Sequence, residues 1–294
     1  LRTDLLQPSP RSWSLAEAYA WCQRLATTHY ENFPVASRLL PGSVRPHIAA
    51  VYAFARIADD IADEPGMTES ERLEWLERWS DAVPRAYTGD ADHPAFIALA
   101  DTVSRHHIPM ELLLDLLSAF RQDVTVHRYE SFGDLLDYCR RSANPVGRIV
   151  LRLFGYDDPD LDRDSDAICT ALQLTNFWQD VRIDAERDRI YIPREDLRRF
   201  NCREDLIIRE KMTEPLRDTL AFEADRTRAI FRRGALLPES VRQPLRIELR
   251  LTWLGGMRIL DKIEQSGYTV FENRPTLGWL DVLGMLVRST RRLA

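Results

Sequence analysis

The stretch Arg45–Asp63 reads RPHIAAVYAFARIADDIAD, and its spacing predicts an α-helix with two unlike faces. Ile48, Val51, Phe54, Ile57 and Ile61 recur at three- and four-residue intervals, the repeat of a buried helical stripe. Tyr52, Arg56, Asp59 and Asp63 fall at i, i+4, i+7 and i+11, so at 100° per residue they share an arc of about 60°. Asp60 and Glu64 flank that line. Asp59 and Asp63 stand one turn apart, about 6 Å along the axis, and at an effective dielectric near 20 their repulsion is ~3 kcal/mol. Arg56 offsets part of it, and a divalent cation would offset more. Two acids at this spacing also read, on their own, as a solvated helix face.

A second segment shifts that balance. Cys169–Asp184 reads CTALQLTNFWQDVRID, part of a helix predicted over Asp164–Asp184, with Leu172, Leu174, Phe177, Trp178 and Val181 apolar. Gln173, Asn176, Asp180 and Asp184 fall at 0, +3, +7 and +11, again one narrow face. Neutral amides ahead of an acid pair supply oxygen ligands and donors without adding repulsion. Two mostly apolar helices, each with a single line of oxygen donors, read as facing walls of one cavity. Carboxylates so spaced suit Mg²⁺, which takes one or two of them together with water and phosphate oxygens.

Helical periodicity extends over most of the chain, and alternating strand patterns are absent from it. Helices are predicted over Leu15–Ala26, Arg45–Asp63, Glu69–Thr88, Pro94–His106, Met110–Val126, Phe132–Phe154, Asp164–Asp184, Leu216–Leu236 and Leu245–Glu264, with a last one from Thr276. Pro, Gly and Asp clusters separate them. No linker or internal period divides the sequence, so residues 1–294 read as one all-α domain, with 1–13 a poorly ordered arm. The run Asp160–Asp166 imitates a calcium loop but has Ser165 at the glycine position; it reads as a solvated loop capping the next helix. P-loop, dinucleotide-binding and zinc-hydrolase motifs are missing.

Among 294 residues, 46 acids face 40 bases, a formal net charge of −6, which argues against nucleic acid as a partner. With 45% hydrophobic residues the chain has the apolar content of a folded domain. Four dispersed cysteines, Cys22, Cys139, Cys169 and Cys202, point to a reducing compartment, and no secretion signal is visible, so the expected location is cytoplasmic. Leu277–Val287 is apolar but interrupted by Asp281 and too short to span a bilayer. Ending in Arg288, Arg291 and Arg292, it reads as an ordinary last helix or as one resting on the inner face of a membrane.

The two aspartate helices, in this order and about 120 residues apart, resemble those of the squalene/phytoene synthase family. YxxxRxxDDxxD is matched by Tyr52, Arg56, Asp59, Asp60 and Asp63; QxxNxxxDxxxD is matched by Gln173, Asn176, Asp180 and Asp184, followed by Arg189, Ile190 and Tyr191. His29 and Phe33 match an N-terminal His-x-x-x-Phe segment, Tyr138 a tyrosine of the central helix, and Arg274 a C-terminal arginine near the diphosphate. The resemblance implies an all-α isoprenoid synthase fold around an apolar cavity. It further implies Mg²⁺ on Asp59, Asp63, Asn176, Asp180 and Asp184, and substrate contacts from His29, Phe33, Tyr52, Arg56, Phe177, Arg189, Tyr191 and Arg274. His29 taken alone reads as structural. Two departures stand out: Asn144-Pro145 replaces two small residues of the central helix, and Gly256 stands where relatives often carry tyrosine.

The segments HYENFPVAS, AVYAFARIADDIADE, RQDVTVHRY and RSANPVGR resemble the family's bacterial hydroxysqualene-forming branch. That implies conversion of presqualene diphosphate to hydroxysqualene without NADPH, between a synthase that makes presqualene diphosphate and a reductase that acts afterwards, in hopanoid biosynthesis. Asn144 is then a candidate for positioning water, or else satisfies backbone groups freed by Pro145. The alternatives are head-to-head condensation of two prenyl diphosphates, and a non-catalytic helical lipid-binding protein.

Overall fold

Helices make up the regular structure of residues 12–28 and 40–290, the part of the chain described by this computed structural model. The only β feature among them is one bridge between Arg128 and Ile190. In chain order the helices are α1 (Leu15–Thr28), α2 (Arg45–Ala62), α3 (Glu69–Thr88), α4 (Pro94–His106), α5 (Met110–Thr125), α6 (Phe132–Ser142), α7 (Asn144–Leu153) and α8 (Pro159–Gln179). There follow α9 (Val181–Glu186), α10 (Arg194–Arg199), α11 (Glu204–Ile208), α12 (Glu214–Arg233), α13 (Leu237–Ser240), α14 (Leu245–Gln265) and α15 (Trp279–Arg288). The all-α expectation is met. Contacts group the chain into two units, one of residues up to Thr125 plus Arg148–Asp157, the other of Val126–Gly147 and everything from Asp158.

In the first unit, α2 buries the stripe its sequence predicts, with Ile48, Val51, Phe54, Ile57 and Ile61 all buried. Trp79 of α3 and Phe96 of α4 pack on Phe54, and the Trp79 indole N–H donates to the Phe54 carbonyl at 3.3 Å. A capping box of Thr68 and Glu71 starts α3, and Gly89 in the left-handed region ends it, the start and stop chemistry of an autonomous helix. A polar node joins α1, α2 and α4. The Tyr19 hydroxyl donates to Asp101 at 2.7 Å and lies 2.9 Å from His47 Nδ1, while the His47 and His106 rings sit 4.5 Å apart.

In the second unit, α8 packs against α6, α12 and α14. Its start differs from the sequence reading: Pro159 occupies the first turn and the Asp158 side chain accepts from Asp160 N at 2.8 Å. The acidic run is therefore helical, because proline at a first turn and aspartate before it form a better nucleus than a loop. Its other end stops at Gln179, five residues short of the predicted Asp184, where Asp180 with φ/ψ of −106°/15° separates α8 from α9. The long helix predicted over Phe132–Phe154 is likewise split at Ala143, ahead of Pro145, which has no N–H to continue the ladder. Buried Glu223 and Asp196 share one cation, Arg226 Nη2, at 2.6 and 2.7 Å, and its guanidinium stacks 3.4 Å from the Phe132 ring centroid.

Two sets of groups give stability opposite pH dependences. Burial first, then the neighbouring His106, lowers His47; burial, then Arg105, lowers His106. Their contribution is complete above the ordinary value of 6.5 and is lost as pH falls. Burial pushes Glu223 up to about 8 against the pull of Arg226; its contribution is complete below 4.5 and is lost as pH rises through about 8. Between pH 6.5 and 8 the urea midpoint is expected to decline in the native chain and stay flat in Glu223→Gln. On acidification below 6.5, His106→Asn loses less stability than the native chain.

Candidate active site

Along α2, Tyr52, Arg56 and Asp59 are half-buried and Asp63 is exposed. Arg56 Nη2 lies 2.6 Å from Asp60, and Nη1 lies 3.5 Å from Asp59. Burial opposes the Arg56 charge, but Asp60 and then Asp59 outweigh it and raise the guanidinium's pKa. Its Nε is buried with no hydrogen bond among the described residues. Asp63 is the C-cap of α2, and the last turn holds no basic residue. Acids there meet the negative end of the helix dipole, which disfavours them unless a cation is near.

The second motif repeats this placement. Gln173 and Asn176 lie on α8, Asp180 is its C-cap, and again the last turn contains no basic residue. Arg274, distant in sequence, supplies the positive charge: Nε donates to one Asp180 oxygen and Nη2 to the other at 3.0 Å. Gln179 Nε2 donates to the Pro275 carbonyl and Arg182 to the Phe271 carbonyl at 3.0 Å, which pins the segment carrying Arg274. Gln179 is a positioning residue that sequence reading passed over; its signal is burial immediately before Asp180.

Asp184, Arg189, Tyr191 and Phe177 line one small cleft in the second unit. Phe177 and Tyr191 stack face to face at 3.7 Å, and Tyr138 stands 6.1 Å from each. Tyr129, buried and stacked on Tyr191 at 5.7 Å, completes the cluster; it lies in the RQDVTVHRY segment but spacing did not single it out. The Tyr191 turn is held by this segment, because Ile190 N donates to the His127 carbonyl and Arg194 N to Tyr129. A larger groove of about 510 Å³ lies among α6, α8 and α12, lined by Phe132, Thr170, Arg226 and Ile230, and contains none of the sequence-predicted residues.

Asn144 is buried, and its side-chain oxygen accepts the Thr170 hydroxyl at 2.9 Å, tying α7 to α8. His29 and Phe33 lie outside the described residues, as do 1–11 of the predicted N-terminal arm. In each motif the donors are hard oxygens near a helix end, the chemistry that suits Mg²⁺. No three His, Cys, Asp or Glu side chains converge into a cage among the described residues.

A family model described as squalene/phytoene synthase matches residues 26–281. The chain belongs to the squalene/phytoene synthase family. Two curated members illustrate its range. A phytoene synthase of Arthrospira platensis is 32% identical, covering 91% of this chain and 89% of that protein. A hydroxysqualene synthase of Zymomonas mobilis is 39% identical, covering 70% and 69%. The crystal structure of squalene synthase HpnC from Alicyclobacillus acidocaldarius superposes with a TM-score of 0.82 at 42% identity, covering 86% of this chain and 95% of that one. The fold is therefore the all-α isoprenoid synthase fold, and the chain is a member of a family of isoprenoid synthase enzymes.

Within that family, Gly256 has a structural reason. A Cβ at this position would overlap the ring of fully buried Phe231 and come within 3.0 Å of Leu172. Trp253 holds Phe231 in place through its indole N–H to the Phe231 carbonyl at 2.9 Å. A tyrosine at 256 requires that ring to leave. Gly256→Ala is expected to destabilise the chain by about 1–3 kcal/mol, the usual range for overpacking, measured by urea denaturation; Phe231→Leu in the same chain is expected to recover part of that loss.

Proposed function

We propose that this chain converts presqualene diphosphate and water to hydroxysqualene and diphosphate. The observation carrying the reading is its higher identity to the hydroxysqualene synthase than to the phytoene synthase. No electrons change hands between these substrates and products, so the reading needs no NADPH. Asp59, Asp63, Asn176, Asp180 and Asp184 would hold Mg²⁺. When bound, the ion supplies Lewis-acid stabilisation to the departing diphosphate.

In this reading Arg56, Arg189 and Arg274 add fixed positive charge and donate to phosphate oxygens, while Tyr52, Tyr191, Gln173 and Asn176 orient the group. Tyr138 and Phe177 would stabilise the cyclopropylcarbinyl cation left behind, with Phe33 added by the resemblance alone. The apolar surroundings exclude bulk water during rearrangement, and one water then attacks. With its oxygen engaged by Thr170, Asn144 has its amide nitrogen for holding that water. The enzyme would work in the cytoplasm between a presqualene diphosphate synthase and a hydroxysqualene reductase. The second reading, condensation of two prenyl diphosphates, is favoured by the larger share of the chain that aligns with phytoene synthases.

Purified protein with Mg²⁺ is to be incubated with presqualene diphosphate and, separately, with farnesyl diphosphate, and the products identified by mass spectrometry. Hydroxysqualene is expected from the first substrate alone; a C30 product from farnesyl diphosphate alone would establish the second reading. Asp180→Asn is expected to lower kcat at least about 100-fold, as loss of a group that stabilises transition-state charge does, with the circular dichroism spectrum unchanged.

A further inference from the structure

The last described helix is built inside out. Asp281, Met285 and Ser289 recur every four residues, and this seam faces α14. Asp281 is ion-paired with Arg258 at 2.7 Å and Lys262 at 2.5 Å. Met285 lies against Gly255, and the Ser289 carbonyl accepts from Arg250 at 2.7 Å. The helix's one acidic side chain, which an isolated surface helix would turn to water, is here spent on attachment. The opposite face carries Trp279, Leu280, Val282, Leu283, Leu286 and Val287, all exposed, Trp279 to 75% and Leu280 to 64%. Leu277 extends the patch. Most of the large apolar side chains exposed among the described residues lie on this one segment, and a contiguous patch of that kind marks an interaction surface.

Length and charge select the partner. Ten residues rise about 15 Å, half the thickness of a bilayer's hydrocarbon core, so the helix lies along a membrane rather than through it. Trp279 opens it, at the position where an indole settles into the headgroup region. Arg288 is exposed beside the apolar face, and the sequence continues with Arg291 and Arg292 and has no acid after Asp281. Within a chain of net charge −6, exposed Arg288 puts positive charge beside this apolar face, complementary to anionic headgroups. We infer that α15 docks this protein onto an anionic lipid surface by its outward apolar face.

The test is flotation with vesicles of phosphatidylcholine and phosphatidylglycerol, without substrate, so its result is independent of which reaction the chain catalyses. The native chain is expected to float with these vesicles, less with pure phosphatidylcholine and less at high salt. Leu283→Glu/Val287→Glu is expected to bind at least about tenfold more weakly, with unchanged circular dichroism because both side chains are exposed. Quenching of fluorescence by brominated lipid in the native chain, absent in Trp279→Phe, places the helix at the interface without relying on the charged variant. The inference is overturned by failure of the native chain to float with anionic vesicles, or by equal binding of the double variant. It is overturned equally by a native dimer that the double variant dissociates, with no vesicle binding, since that would make the face a contact between copies.

Discussion

Carboxylates at the negative ends of apolar helices are the constraint around which both motifs are arranged. Asp59, Asp60 and Asp63 close α2, and Asp180 closes α8, in each case without a basic residue in the last turn. Such acids need positive charge from elsewhere. On α2 it comes from within the helix, through Arg56. For α8 it comes from far along the chain, through Arg274, and this requirement explains why the segment around it is fastened by Gln179 and Arg182 to the end of α8 and the start of α9. The electrostatic demand at one helix end thereby fixes the path of the backbone near the C-terminus.

The helical class and the two donor lines were legible because a period of 3.6 leaves a dense imprint on an apolar sequence. Phe54 and Ile61 are buried where the spacing puts them. The breaks at Ala143 and Asp180 were not legible, since a change in φ/ψ at one residue displaces no apolar position by enough to disturb the pattern. Nor was the pairing of Arg274 with Asp180, whose partners are 94 residues apart; sequence resemblance put each near a diphosphate but could not join them. Tyr129 escaped for a related reason. Its neighbours Tyr138 and Tyr191 come from different elements, and no spacing rule connects them.

Asn144 and Gly256 show how departures from a family pattern acquire meaning from their contacts. The amide at 144 is engaged across to α8 through Thr170, so it holds helices together whatever else it does. At Gly256 the missing side chain is replaced by Phe231 from α12. The space a side chain would need is filled from another helix, as a close-packed interior requires.

Arginine supplies nearly all the positive charge of this chain, and the lysines are Lys211 and Lys262 alone. Lys211 is exposed, whereas the Lys262 amine is occupied by Asp281 and the Thr276 carbonyl, holding the start of α15 against α14. Amine-directed acylation therefore reads the seating of α15. While α15 is seated, Lys262 is a guarded nucleophile beside a freely labelled Lys211; once the helix lifts, both react. A chain with so few amines carries, in that second lysine, a chemical latch indicator for its own last helix.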